Sequence, residues 1–124
     1  MSFEITFLGC GSASPTSFRN PTSQFIQVQE RTFLIDCGEG TQVALRKNKI
    51  RMQKIQAIFI SHLHGDHYFG LPGLLSTFHL LGREKELNIY ASAHLLPILE
   101  ALFKASHTYL SYSLNFEPLN FKSS

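Results

Sequence analysis

The segment His62-Leu63-His64-Gly65-Asp66-His67 constrains this chain more than any other. It follows directly on Ala57-Ile58-Phe59-Ile60, a short apolar run bounded by polar residues that reads as a buried strand. Three imidazoles and a carboxylate crowded at a strand end are poor packing material. They are good metal ligands, because zinc takes imidazole nitrogen and carboxylate oxygen and a catalytic zinc keeps a position open for water. His62 and His64 lie two apart, so on an extended chain they point to the same side and can reach one metal. Gly65 lets the chain turn, and Asp66 and His67 then face the same cavity from the next turn. The pattern offers two ligands to one metal and two to a second. Two metals about 3.5–4 Å apart can clamp a phosphoryl group and activate water. Asp66, the carboxylate inside the motif, is the candidate proton acceptor as well as a ligand.

The rest of the chain reads as a frame for that segment. Phe3 to Leu8 is a strand that runs into the Gly- and Ser-rich loop Gly9 to Thr16. Ser23 to Gln29 and Thr32 to Ile35 are two further strands joined by a polar turn at Glu30-Arg31. Asp36-Cys37-Gly38-Glu39-Gly40-Thr41 is a tight turn, and a helix runs from Thr41 to about Lys47. Leu71 to Leu81 has helical spacing and stops at Gly82. Leu87 to Ala91 is a strand, His94 to Ala105 an amphipathic helix, and Leu114 to Leu119 a last strand. Three strands followed by alternating helices and strands imply a mixed α/β sheet in one domain over residues 1–124. There is no internal repeat, low-complexity segment or linker, and no helix or cap signal closes the chain after Phe121.

Composition excludes several classes. Apolar residues make up 44% of the 124, enough for a core and too many for a disordered chain. The net charge of +2 allows a polyanionic partner without arguing for one. Five basic residues lie between Arg46 and Lys54; a solvated helix end is the favoured reading over an RNA groove. Cys10 and Cys37 make no disulfide framework and read as reduced thiols. The N-terminus has no signal-peptide pattern, and no apolar run reaches the ~20 residues of a membrane span. The expectation is a cytoplasmic protein. His79, His94 and His107 have no ligand partner near them in sequence and read as non-ligands. Asp36 leaves two roles open: it stabilises the turn, or it orients a metal-bound histidine.

Ser61 to His67 resembles the signature of the metallo-β-lactamase superfamily. Leu8 to Thr16, Asp36 to Gln42 and His67 to Leu75 are similar to segments of one branch, ribonuclease Z, the endonucleases that trim the 3′ trailer from precursor tRNA. The resemblance implies the N-terminal half of an αββα sandwich. It implies that His62 and His64 bind a first zinc, that Asp66 and His67 bind a second, and that Asp66 accepts a proton. The implied reaction is phosphodiester hydrolysis of precursor tRNA, leaving a 3′-hydroxyl on the tRNA, by a cytoplasmic homodimer. Family members draw a further histidine, a bridging aspartate and a final histidine from their second half. Asp36 and Asp66 are the only aspartates here, so no downstream bridging aspartate is present. Asn88 to Ala93 lacks the Gly-Pro often found after this strand. One sheet layer alone would expose its inner face. Two other readings stay open: a metallo-β-lactamase-fold hydrolase of a small phosphodiester or thioester, and an inactive metal-binding fragment.

Overall fold

The computed structural model of the chain describes residues 3–8, 23–63 and 65–119, without the side chains of 65 and 66. The loop read from Gly9 to Thr16, Cys10 and His64 lie outside the described residues. Three antiparallel strands come first: β1 (Phe3–Phe7), β2 (Gln24–Val28) and β3 (Arg31–Ile35). Helix α1 (Thr41–Lys47) and a single 3₁₀ turn (Met52–Lys54) lead to β4 (Ala57–Phe59). Then follow α2 (Gly65–Tyr68), α3 (Leu71–Leu80), β5 (Leu87–Ser92), α4 (Leu95–Ala105) and β6 (Leu114–Leu119). The strands stand in chain order in one sheet, with β3 to β6 parallel. The expected mixed α/β sheet is thus present. One element differs in detail: the second half of the metal motif closes a separate helical turn, α2, ahead of the long helix.

The helices end where local chemistry stops them. α1 starts after Gly40, whose φ of 85° is open to glycine at little cost. Asn48 closes it by donating its side-chain amide to the Ala44 carbonyl at 2.8 Å. α3 takes Pro72 in its first turn, where a missing N–H costs nothing, and stops before Gly82 at φ 79°. α4 likewise carries Pro97 in its first turn, and Ser106 caps its last carbonyls by donating to Leu102 O at 2.8 Å.

Alternation along the strands sorts side chains onto two faces. Register brings Leu34, Ile58 and Ile89 side by side on one face, all fully buried. The helices pack there through Leu45, Leu74, Leu75, Phe78 and Leu95. Each such side chain contributes about 1.5–3 kcal/mol relative to exposure, so this side holds the fold together.

The other face carries Phe3, Ile5 and Phe7 of β1, exposed at 62%, 44% and 57%. Beside them stand Ile26, Phe33, Phe59 and Tyr90. Phe59 stacks on Tyr90 with ring centroids 4.5 Å apart, and Phe33 meets Phe59 edge-on at 6.3 Å. No helix covers this aromatic face among the described residues. It is the face that one layer of an αββα sandwich turns inward, as the sequence leads one to expect.

Candidate metal centre

The site forms where β3 and β4 end, at the C-terminal edge of the parallel strands. Asp36 directly follows β3 with φ 62°, in a left-handed conformation that Asp tolerates better than most residues. That bend aims the Asp36 N–H at Phe59 O, 2.6 Å away, and turns its carboxylate toward the segment after β4. The carboxylate is nearly buried and saturated with donors. Ser61 N–H donates to Oδ1 at 2.7 Å, and the Ser61 hydroxyl reaches Oδ2 at 2.7 Å and Oδ1 at 2.9 Å. His67 Nδ1 lies 2.9 Å from Oδ2. The Asp36 carboxylate therefore reaches across to the segment after β4 rather than to the amides of its own turn. It fixes the backbone of the motif at Ser61 and it holds the His67 ring.

The network reaches a second imidazole through Ser61. His62 Nδ1 lies 3.1 Å from Ser61 Oγ, so the hydroxyl can accept from His62 while donating to Asp36. The His62 and His67 rings lie with centroids 5.2 Å apart at 49°. One buried carboxylate thus sets the orientation of both rings, directly for His67 and through a hydroxyl for His62. A carboxylate on one ring nitrogen fixes the tautomer and raises the basicity of the other, which suits a histidine to a metal.

Of the four ligands expected from sequence, the structure brings His62 and His67 together. Asp66 sits with its backbone in α2 between them, its side chain outside the described residues, as is all of His64. Among the described residues no group of three or more His, Cys, Asp or Glu is placed so that all could hold one metal ion. The donor set that is described, two imidazoles poised by one carboxylate, fits a borderline metal ion such as zinc.

Backbone contacts lock the surrounding loops. Cys37 N–H donates to His67 O at 2.7 Å and Gly70 N–H to Cys37 O at 2.9 Å. The Gly70 backbone lies so close to the turn that a Cβ there would sit 2.1 Å from Gly38 O. Thr77 donates to Gln42 Oε1 at 2.7 Å, tying α3 to the start of α1. The segments Asp36 to Gln42 and His67 to Leu75, distant in sequence, are therefore one packed unit. Burial pushes the Cys37 thiol up to about 12, so it stays an inert thiol in that unit, as expected of a reduced structural cysteine.

The remaining histidines have other work. His79 Nδ1 accepts from Ser111 N–H at 3.0 Å, which pins the end of α3 to the stretch before β6. His94 and His107 flank α4 and are exposed. Two residues escaped the sequence reading. Ser61 has a signal, since it directly precedes the motif. Arg83 is a buried guanidinium that donates to the carbonyls of Gln53, Ile55, Lys85 and Glu86 at 2.8–3.0 Å. Its partners are backbone atoms, which no side-chain pattern reveals.

A mixed six-stranded sheet with this motif at its parallel edge defines a metallo-β-lactamase-fold chain. Human tRNase Z, short form, is similar at 38% identity with a TM-score of 0.79, covering 92% of this chain and 44% of that one. A metallo-β-lactamase-fold protein of Bacillus subtilis, YhfI, shares the fold at 22% identity and a TM-score of 0.66, over 95% of this chain and 47% of its own. The chain belongs to the family described as Anti-Pycsar protein Apyc1, whose sequence pattern matches residues 3–117. It is also 46% identical over 118 residues to ribonuclease Z of Parabacteroides distasonis, across 92% of this chain. The resemblance to ribonuclease Z that the four segments carry is borne out. This chain spans 38% of the length of that relative. No helix among the described residues is long and apolar enough to cross a membrane.

Proposed function

We propose that this chain carries the first part of the centre of a zinc-dependent endoribonuclease that removes the 3′ trailer from precursor tRNA. The observation that carries the reading is the buried Asp36 carboxylate holding both His67 and, through Ser61, His62. Support comes from the 46% identity to a ribonuclease Z across nearly the whole chain. In this reading His62 and His64 hold one zinc, and Asp66 and His67 a second, with two ions in the complete site. Bound zinc supplies Lewis acidity and brings a water's pKa toward ~7.

The chain's own residues do the rest. Asp36 and Ser61 keep the two imidazoles in the tautomer that leaves Nε2 as the ligating atom. Asp66 accepts the proton of the attacking water as its oxygen bonds to phosphorus. The bond from phosphorus to the 3′-oxygen of the tRNA breaks, and that oxygen takes up a proton. The tRNA leaves with a 3′-hydroxyl and the trailer with a 5′-phosphate. The remaining ligands come from polypeptide corresponding to the rest of the relatives' length, and the working enzyme is a cytoplasmic homodimer.

The test is cleavage of a precursor tRNA with a 3′ trailer by a polypeptide that includes this chain and the complete centre. Asp66→Ala is expected to lower cleavage by about 10²–10⁴-fold, the usual contribution of a positioned general base, while tRNA binding stays within a few-fold. Retained cleavage would remove Asp66 from its role. A second reading is a metallo-β-lactamase-fold hydrolase of a small phosphodiester or thioester. Faster turnover of a small phosphodiester than of precursor tRNA would favour it.

A further inference from the structure

Opposite the metal centre, at the N-terminal ends of the parallel strands, basic side chains from separate parts of the sequence gather. A concavity of about 1430 Å³ runs from the uncovered face, at Phe33, Ala57, Phe59 and Tyr90, to that end of the sheet, where its rim carries Arg31, Lys49, Arg51, Lys54 and Lys85, with Arg83 buried in its wall. The acidic residues lining it are Glu30 and Glu86, and Glu86 Oε2 already accepts from Asn115 at 2.7 Å. The five exposed cations outnumber the two carboxylates, and among the described residues none of the five is in an ion pair. Read along the sequence, the stretch from Arg46 to Lys54 is an ordinary solvated helix end. The fold adds Arg31 from the start of β3 and Lys85 from the turn before β5, which makes it a rim.

Arg83 builds that rim. Its guanidinium donates to Gln53 O and Ile55 O on one side and to Lys85 O and Glu86 O on the other. It rests over the rings of Phe78 at 5.0 Å and Tyr112 at 5.6 Å. The Thr32 hydroxyl ties the carbonyl of Lys54 to β3. The four carbonyls are thereby satisfied, and Lys54 and Lys85 stand exposed on a fixed backbone. Lys49, Arg51, Lys54 and Lys85 all stand on turns rather than on the sheet.

We infer that this rim binds the sugar-phosphate backbone of a structured RNA, holding it at the end of the sheet remote from the metal centre. Lys54 and Ser61 are seven residues apart across β4, a span of at most about 23 Å at ~3.3 Å per residue. A structured RNA bridges such a span and a mononucleotide does not. The inference rests on the proposed ribonuclease reading for its choice of polyanion. Clustered, unpaired Lys and Arg neutralise phosphates and release counterions, which gives a salt-dependent affinity without sequence preference.

The test is fluorescence anisotropy with a labelled tRNA acceptor-stem minihelix and this chain, over a series of salt concentrations. The triple variant Arg51→Gln, Lys54→Gln, Lys85→Gln is expected to flatten the slope of log K against log salt by about 2–3, and Lys54→Gln alone by about 1. Lys54→Arg with Lys85→Arg keeps the charge and should keep the slope. Thermal melts check that the variants fold; if the triple variant does not, the single variant decides. An unchanged slope in variants that fold overturns the rim. Binding of phosphatidylserine vesicles as tight as RNA binding, lost in the same variants, would overturn the choice of RNA. RNA bound through the rim but not cleaved by the longer polypeptide leaves the rim standing and removes the nuclease reading. Cleavage of precursor tRNA alongside an unchanged slope does the reverse.

Discussion

Asp36 Oδ2 lies 2.9 Å from His67 Nδ1, across 31 residues of sequence, and the same carboxylate accepts from both the amide and the hydroxyl of Ser61. A residue outside the histidine motif therefore governs how the motif presents its nitrogens. The Asp36→Asn variant keeps one acceptor oxygen and the bend of the chain but loses the negative charge that polarises His67. Metal affinity is expected to fall about 10–100-fold, the usual effect of removing such a partner. Competition with a chromophoric chelator measures it; unchanged affinity would show that the contact is structural only.

Ser61 couples His62 to Asp36. Ser61→Ala should loosen His62 while leaving the His67–Asp36 contact intact, and Ser61→Thr should restore it. Nitrogen chemical shifts of the metal-free chain report the His62 tautomer directly. A single tautomer in wild type and in Ser61→Thr, with a mixture in Ser61→Ala, is the expected pattern. The same mixture in all three would remove Ser61 from this role.

Gly70 and Gly40 separate two reasons for a glycine. At Gly70 a Cβ would meet backbone, Gly38 O at 2.1 Å, which cannot give without moving the loop that carries Asp36. Gly70→Ala is expected to cost about 3 kcal/mol or more, at the upper end of overpacking effects. At Gly40 nothing lies within 4 Å, and the cost is only that of φ 85° for a residue with a Cβ, about 1–2 kcal/mol. Urea denaturation orders the two; equal losses would contradict the packing argument.

Burial raises the Tyr112 hydroxyl above its ordinary pKa of 10.0, with the nearby Arg83 offsetting part of the effect. The hydroxyl donates to Leu75 O at 2.8 Å. A folded pKa above the unfolded one means that the folded chain holds the proton more tightly. The associated stability is fully present below pH ~10 and is lost as pH rises through the folded value. Alkaline unfolding should track tyrosinate absorbance, and Tyr112→Phe should flatten that decline. An equally steep decline in Tyr112→Phe would place its cause elsewhere.

Arg83 makes four hydrogen bonds to carbonyls that have little other recourse. Arg83→Lys cannot span them, since an ammonium lacks the planar fork, and a loss of about 3 kcal/mol or more is expected. Thermal denaturation of the variant checks it; a loss below ~1 kcal/mol would mean that water replaces the guanidinium.

What could be read in the sequence was what is local. The strands from Phe3 to Ile35, the buried run before the motif and the stop at Gly82 are written in spacing and turn residues within a few positions. The histidine motif is equally compact. The double duty of Asp36 was undecidable because its partners lie 25 and 31 residues away. Arg83 was missed because its acceptors are main-chain oxygens. The short helix α2 read as a turn, since one helical turn has no periodicity to betray it. The basic rim exists only after β3 and the turn before β5 converge on the 3₁₀ segment.

The metal centre is tested most directly by what surrounds zinc when it is supplied to this chain. X-ray absorption at the zinc edge should show nitrogen and oxygen neighbours with the multiple scattering of imidazole, weakened in both His62→Ala and His67→Ala. Zinc that binds through sulfur, or that binds equally well in both variants, would contradict the assignment of the centre to this motif.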